Sequence, residues 1–362
     1  MILHRYFARR FALLFFGLLL VFFLFLGLID MVEQLRRFED VSFGEIMKLT
    51  LLNMPQVLYQ FLPLVMILSA IGLFLGLARS SELVVTRAAG RSGMTALLGP
   101  LVVATVIGGI TVAMMNPLVA ATSARYAELR EAHRGGGSVI SIGREGLWLR
   151  QGDASGQTVI RADRANADAT VLYDVSFVSY TPGGGPVRRI EAARAELTDG
   201  AWELTRAKAW PLALGENPET SATVHDRLTL PSSLTREGIR DSFGQPSAVS
   251  IWHLPAFIAT LEEAGFSARR HAVWFQMELS RPLFLVSMML VGAAFTMRHA
   301  RAGRTGLFVL AAVMLGFGLY YIRNFAQILG ESGQLAPWLA AWTPPVASVL
   351  LALGVLINME EG

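Results

Sequence analysis

The sequence predicts an α-helical membrane protein with six transmembrane helices and an all-β domain set between the third and the fourth. Three observations lead there. Of the 362 residues, 53% are hydrophobic and only 16% charged, where soluble domains carry roughly a quarter charged residues. Uncharged runs of membrane length recur, Leu49–Ala78 and Ser92–Ala124 among them. From about Ser138 to Leu230 the texture changes to strand-length pieces punctuated by Gly, Pro and Asp.

Composition also excludes several classes. Cysteine is absent, which removes a disulfide framework, a thiolate metal site and a thiol nucleophile. The net charge of +3, carried almost entirely by Arg, is too small a surplus to suggest nucleic acid.

Along the chain, Arg5, Arg9 and Arg10 precede the apolar run Phe11–Ile29. At 19 residues, with no small-x-small cleavage motif after it, this run reads as a retained first span with its basic end inside the cell. Beyond Asp30, Arg36 and Arg37 are balanced by Glu33, Glu39 and Asp40, as suits an exported side. The second span carries Pro55 and Pro63, whose missing backbone bonds neighbouring helices can accommodate. The third run turns Ala-rich and then charged beyond Asn116-Pro117, so a helix is expected to emerge into the outer compartment until Gly135-Gly136-Gly137 stops it.

The strand region alternates apolar with polar, as in Val175–Tyr180 or Trp202–Thr205. It is consistent with an antiparallel sandwich, a jelly roll or an open barrel. Phe177, Trp148 and Leu204 are expected on its apolar face. A connector helix follows, with Phe257, Ile258 and Leu261 on one side. The fourth span lies within His271–Met297, where Glu278 and Arg281 are three residues apart and are expected to neutralise each other. The fifth runs from Thr305 to about Ile328 and contains Arg323; the sixth covers about Trp338–Asn358. The organisation expected is residues 1–134, three spans; 135–248, the β domain; and 249–362, the connector and three more spans.

The segment Arg79–Ser92, RSSELVVTRAAGRS, sets four charges between two uncharged runs. It therefore belongs at a membrane face, where charge stays hydrated. Ser80-Ser81-Glu82 can cap a helix and Gly90 suits its end, so a helix of about two turns is expected. Spacing equally allows an ordinary interhelical turn. With the N-terminus inside, six spans put Arg79–Ser92 and Arg298–Arg304 inside with three Arg each, and the strand region outside. This obeys the positive-inside rule.

Catalytic motifs are missing. There is no G-x-x-x-x-G-K-[ST], and Lys occurs only at Lys48 and Lys208. Six scattered His include no H-E-x-x-H, and no G-x-S-x-G elbow is present. A sensor would need a cytoplasmic output domain, whereas the inner segments are short. A self-sufficient secondary transporter would favour internal repeats and mid-bilayer charges.

Several stretches carry a family resemblance: RYFARRF at residues 5–11, DMVEQLRR at 30–37, the run PQVLYQF through SELVVTRAAG at 55–90, GLWLR at 146–150, RPLFLVSMML at 281–290 and LAPWLAAWTPP at 335–345. The chain resembles the LptF/LptG family of lipopolysaccharide-export permeases, on its LptG-like side. The resemblance implies an inner-membrane protein with both termini cytoplasmic and a periplasmic β-jellyroll. It implies a sister LptF-like subunit, a cytoplasmic ATPase dimer that binds the ATP, a membrane-anchored jelly-roll partner and a periplasmic bridge protein, with lipopolysaccharide as substrate. Ser81, Glu82, Leu83, Arg87 and Gly90 would then form the coupling helix, with Glu82 meeting a basic residue of the ATPase. Arg36 and Arg37 match basic positions of the family and would contact lipid phosphates, although snorkelling to the interface accounts for them nearly as well. Asp30 departs from the pattern, standing where LptG relatives often carry a basic residue. Arg281 and Arg323 are further candidates because ionisable residues within spans usually face a cavity or a partner. The alternatives are an ATPase-coupled permease for another lipid or for lipoproteins, which shares this plan, and a self-sufficient secondary transporter.

Overall fold

The structure, a computed structural model, describes the chain apart from residues 1, 39–40, 89–91, 133–138, 144–145, 154–155, 167–169, 182–184, 199, 213–216, 233, 236–244, 264–266, 298–304 and 362. Two compact units emerge. One comprises Met1–Tyr126, Val249–Trp252 and Arg269–Gly362; the other comprises Ala127–Ala248 and His253–Ala268.

In chain order the helices are α1 (Ile2–Arg37), α2 (Phe43–Arg79), α3 (Glu82–Ala88), α4 (Gly93–Ile110), α5 (Asn116–Ala132), α6 (Leu254–Glu263), α7 (Arg269–Thr296), α8 (Thr305–Glu331) and α9 (Pro337–Glu361). A five-residue π turn, Thr111–Met115, joins α4 to α5. Six spans among the described residues are long and apolar enough to cross a membrane: α1, α2, the α4–α5 run, α7, α8 and α9. Local chemistry fixes the start of α2. Ser42 accepts from the Glu45 backbone N–H at 3.4 Å while its hydroxyl donates to the Glu45 carboxylate at 3.0 Å. One of the free N–H groups at the helix start thereby gains a side-chain acceptor.

In the membrane unit α7 is the central helix, with most of its apolar length buried. Small residues let it approach its neighbours. A Cβ on Gly292 would stand 2.8 Å from both the Ile67 carbonyl and the Ala70 Cβ on α2, and one on Gly108 of α4 would stand 2.7 Å from the Pro282 Cα. Such close backbone contact supplies the packing that association in lipid requires, because hydrocarbon offers no hydrophobic drive between helices. By contrast, α1 docks through one stripe. Phe7, Phe11 and Phe15, at i, i+4 and i+8, are all buried. Farther along, Leu20, Leu24 and Leu28 stay about 60% exposed.

The second unit is a seven-stranded antiparallel meander in the order β1 to β7: Val139–Gly143, Gly146–Asp153, Gly156–Ala165, Val171–Tyr180, Pro186–Thr198, Ala201–Pro211 and Thr223–Pro231. One face is apolar and carries Leu149, Ile160, Phe177, Ile190, Trp202 and Leu204, against which Leu261, Phe257 and Ile258 of α6 pack. Phe177 and Leu204 lie on this face, as the alternation predicts. Trp148 does not: it is 38% exposed, with the Arg161 guanidinium over its ring.

The alternation also slips along one line across the sheet. The register skips Asp163, Asp174, Ala193, Arg206 and Asp226, which fall opposite one another on five successive strands. Buried positions therefore step by three instead of two, from Leu172 to Val175, Ala192 to Ala195 and Leu204 to Ala207. Asp174 and Arg206 take the step with φ of 53°, a left-handed backbone uncommon outside glycine.

Gly292→Val should lower the melting temperature of the detergent-solubilised protein, by the equivalent of about 1–3 kcal/mol for overpacking against a backbone that cannot yield. Gly17→Ala, whose Cβ meets nothing within 4 Å, should leave it unchanged.

Candidate functional site

Three sets of charged residues stand out, and the first is at the surface helix. The chain leaves α2 at Ser80, whose N–H bonds back to the Gly76 carbonyl at 3.0 Å. It turns through Ser81 with φ of 59° and enters the seven-residue α3 at Glu82. Glu82 Oε1 accepts from the Ser80 hydroxyl at 2.7 Å and from Arg10 Nη1 of α1 at 2.9 Å. Partial burial works to raise the Glu82 carboxyl. The bonds from Ser80 and Arg10 outweigh it and hold the group below its ordinary value. The link is therefore complete at neutral pH and is lost only as pH falls through that lowered value. Val84 and Val85 are exposed at 48% and 67%, an apolar surface on a charged turn. Leu83 and Arg87 lie within α3; Gly90 falls outside the described residues.

The second set is at the opposite end of α1. Arg36 and Arg37 are both exposed, and Arg37 pairs with Glu33 one turn earlier at 2.7 Å. Asp30 points elsewhere: it is buried and accepts from Asn53 Nδ2 of α2 at 2.7 Å. Asp30 thus sits in a helix–helix contact, and the two arginines remain together on the surface.

The third set is buried in the bundle. Arg281 forms a two-point ion pair with Glu278, Nη2 to Oε1 at 2.7 Å and Nε to Oε2 at 3.1 Å. The same Glu278 carboxylate accepts from the Tyr59 hydroxyl of α2 and, at 3.2 Å, from Asn116 Nδ2. Arg281 also lies 3.9 Å from the centre of the Tyr59 ring and donates to the Tyr59 carbonyl at 3.3 Å. That carbonyl is free because Pro63, four residues on, has no N–H to give it. The pairing of Glu278 with Arg281 was legible in their spacing. Tyr59 and Asn116 were not, although Asn116-Pro117 interrupting an otherwise apolar stretch was an available sign.

Asn116 has a second task. Its Oδ1 accepts the Ile251 backbone N–H at 2.8 Å, and Trp252 Nε1 donates at 3.3 Å to the Ala113 carbonyl, which Pro117 leaves free. The π turn immediately before Asn116 is thus pinned by the irregular segment Val249–Trp252. Arg323, 5% exposed, donates to the Met277 carbonyl at 3.1 Å and lies 5.0 Å over the Phe284 ring. On the same helices, α2, α7 and α8 form a half-open cleft of about 230 Å³ lined by Phe61, Ile67, Met288 and Phe317, with Gln60 and Tyr320 as its polar members. It can hold a hydrocarbon segment but offers little to a polar group.

The chemistry of these sets is binding and positioning. Among the described residues no group of three His, Asp or Glu is arranged to hold a metal ion. Removing one member of the buried pair leaves an uncompensated charge. Glu278→Ala should therefore destabilise the purified protein by about 3–5 kcal/mol, whereas Glu278→Leu with Arg281→Met should recover most of that. Thermal unfolding in detergent distinguishes the two.

Residues 5–358 match the family described as lipopolysaccharide export system permease LptF/LptG. The chain is 25% identical over 341 residues to the lipopolysaccharide export system permease protein LptG of Escherichia coli strain K12, covering 92% of this chain and 91% of the relative. It is 26% identical over 321 residues to the protein of the same description from Haemophilus influenzae, covering 84% of each. These relatives are described as permeases of an export system. The chain belongs to the LptF/LptG family of lipopolysaccharide export system permeases.

Proposed function

We propose that the chain is the LptG-like permease subunit of an ATP-driven transporter that extracts lipopolysaccharide from the inner membrane and passes it to a periplasmic bridge. The observation that carries this reading is α3. A short helix joining two spans, with an acidic side chain one-third exposed and two valines beside it, is suited to a groove on a soluble partner. The sequence has no nucleotide-binding loop of its own, so the energy source is a cytoplasmic ATPase dimer bound there. Ser81, Glu82, Leu83, Arg87 and Gly90 form the docking segment, with Glu82 meeting a cation of the ATPase. A sister LptF-like subunit completes the membrane pathway.

In this reading α3 and both termini are cytoplasmic, in line with the arginine-rich segments, and the sheet is periplasmic. The sheet is the family's jelly roll, which a membrane-anchored jelly-roll partner and the bridge protein extend. Its single apolar face supports a lipid-conducting role. Arg36 and Arg37 contact the lipid phosphates, for which paired guanidinium groups are suited. Arg281 and Arg323 are engaged inside the bundle and would reach a phosphate only after the helices part.

Affinity purification in mild detergent tests the whole assignment. Recovery of a P-loop ATPase, a second six-span subunit and lipopolysaccharide is expected. Recovery of another lipid or a lipoprotein would redirect the substrate, and transport by the protein alone without ATP would refute the assignment. Within it, Glu82→Ala should lose most of the co-purifying ATPase. The double variant Arg36→Ala/Arg37→Ala should keep the ATPase and lose several-fold in photocrosslinking to lipopolysaccharide.

A further inference from the structure

The first span and the surface helix share one carboxylate. We propose that Arg10 is a positioning residue that latches α1 to α3, so that a partner docking on α3 carries the first span with it. The proposal rests on the reading of α3 as the ATPase-docking helix.

Arg10 is 72 residues from Glu82 in sequence and reaches it from another helix. Its guanidinium is set up for that reach. Arg10 Nη1 also donates to the Tyr6 hydroxyl, one turn earlier, at 3.0 Å, and the guanidinium lies 5.9 Å from that ring's centre. Space for it comes from Gly76 of α2, where a Cβ would stand 3.4 Å from Arg10 Nη2. Ser80, at the end of α2, binds the same carboxylate oxygen, so α1, α2 and α3 converge on Glu82 Oε1. The neighbouring turn of α1 is also fixed to α4, since a Cβ on Gly99 would come within 2.4 Å of the His4 carbonyl oxygen. The first turns of α1 are therefore gripped by the helices on both sides of α3 and by α3 itself.

Beyond Phe15 one face of α1 turns outward, with Leu20, Leu24 and Leu28 about 60% exposed. Its other face stays tied within this chain, since Asp30 accepts from Asn53 Nδ2 and Gln34 Nε2 donates to the Tyr126 hydroxyl, both at 2.7 Å. Force applied at Glu82 therefore enters α1 through its first turns and is passed along a helix bonded to its neighbours at both ends. The pair is itself one-third exposed, at 35% and 33%, so a docking cation can approach the carboxylate without first breaking the latch.

The test uses proteoliposomes with the complete complex: this chain, its sister subunit and the ATPase. Arg10→Gln should keep the ATPase bound and hydrolysing, while lipopolysaccharide released per ATP falls by about twofold to fivefold, the range for losing a partly exposed ion pair. Arg10→Lys should recover most of the ratio. An unchanged ratio in Arg10→Gln overturns the latch. Loss of the ATPase from Arg10→Gln overturns it too, because Arg10 would then belong to the docking surface. If Glu82→Ala keeps its ATPase while Arg10→Gln still lowers the ratio, the docking reading fails and the latch stands. Should Arg10→Gln not assemble, Tyr6→Phe removes the hydroxyl that orients Arg10. A smaller fall in the same ratio is then expected, and no fall overturns the proposal.

Discussion

A carboxylate in the dry centre of a helix bundle must have its lone pairs matched by donors, and Glu278 is matched from three directions. Arg281 comes from its own helix, Tyr59 from α2 and Asn116 from the start of α5. Any relative shift of these helices breaks charge-assisted bonds where no water can replace them. Replacing such a pair by apolar residues often costs little stability, so its contribution is to the choice of arrangement. The small residues Gly108 and Gly292 bring the backbones close enough for the bonds to form, and the bonds fix which close approach is used.

The prolines belong to the same account. Each proline within a span deprives one carbonyl of its helical donor, and hydrocarbon offers no substitute. Two of the freed carbonyls have found side-chain donors: Tyr59 takes a bond from Arg281, and Ala113 takes one from Trp252. Breaks in helix regularity are thus turned into long-range ties. The π turn adjoining Pro117 sits where one such tie is made, as π-helical turns often do at working positions.

Much of this was readable in the amino-acid order. Uncharged runs gave the spans because charge is excluded from hydrocarbon over a fixed thickness. SELVVTRAA gave a two-turn surface helix because its polar start and its length are local properties. The alternation over Val175–Tyr180 located one apolar strand face for the same reason. What escaped was non-local. Nothing near Tyr59 announces Glu278, 219 residues away, and nothing near Asp30 announces Asn53 across a helix pair. Trp148 was placed on the apolar face from its residue type, although ring stacking with Arg161 suits it to the polar one. The three-residue steps in the strands were visible in sequence, but a single step resembles noise until five line up.

That alignment has a consequence for how the sheet can change. On either side of the skipped line, odd and even positions of a strand exchange faces. Deleting one residue there from a single strand would restore strict alternation in it and turn half of its apolar side chains to the wrong side, while its neighbours kept their step. Five strands are thereby bound to a common length rule: insertions and deletions are admissible in the turns at their ends, and along the line only if all five alter together.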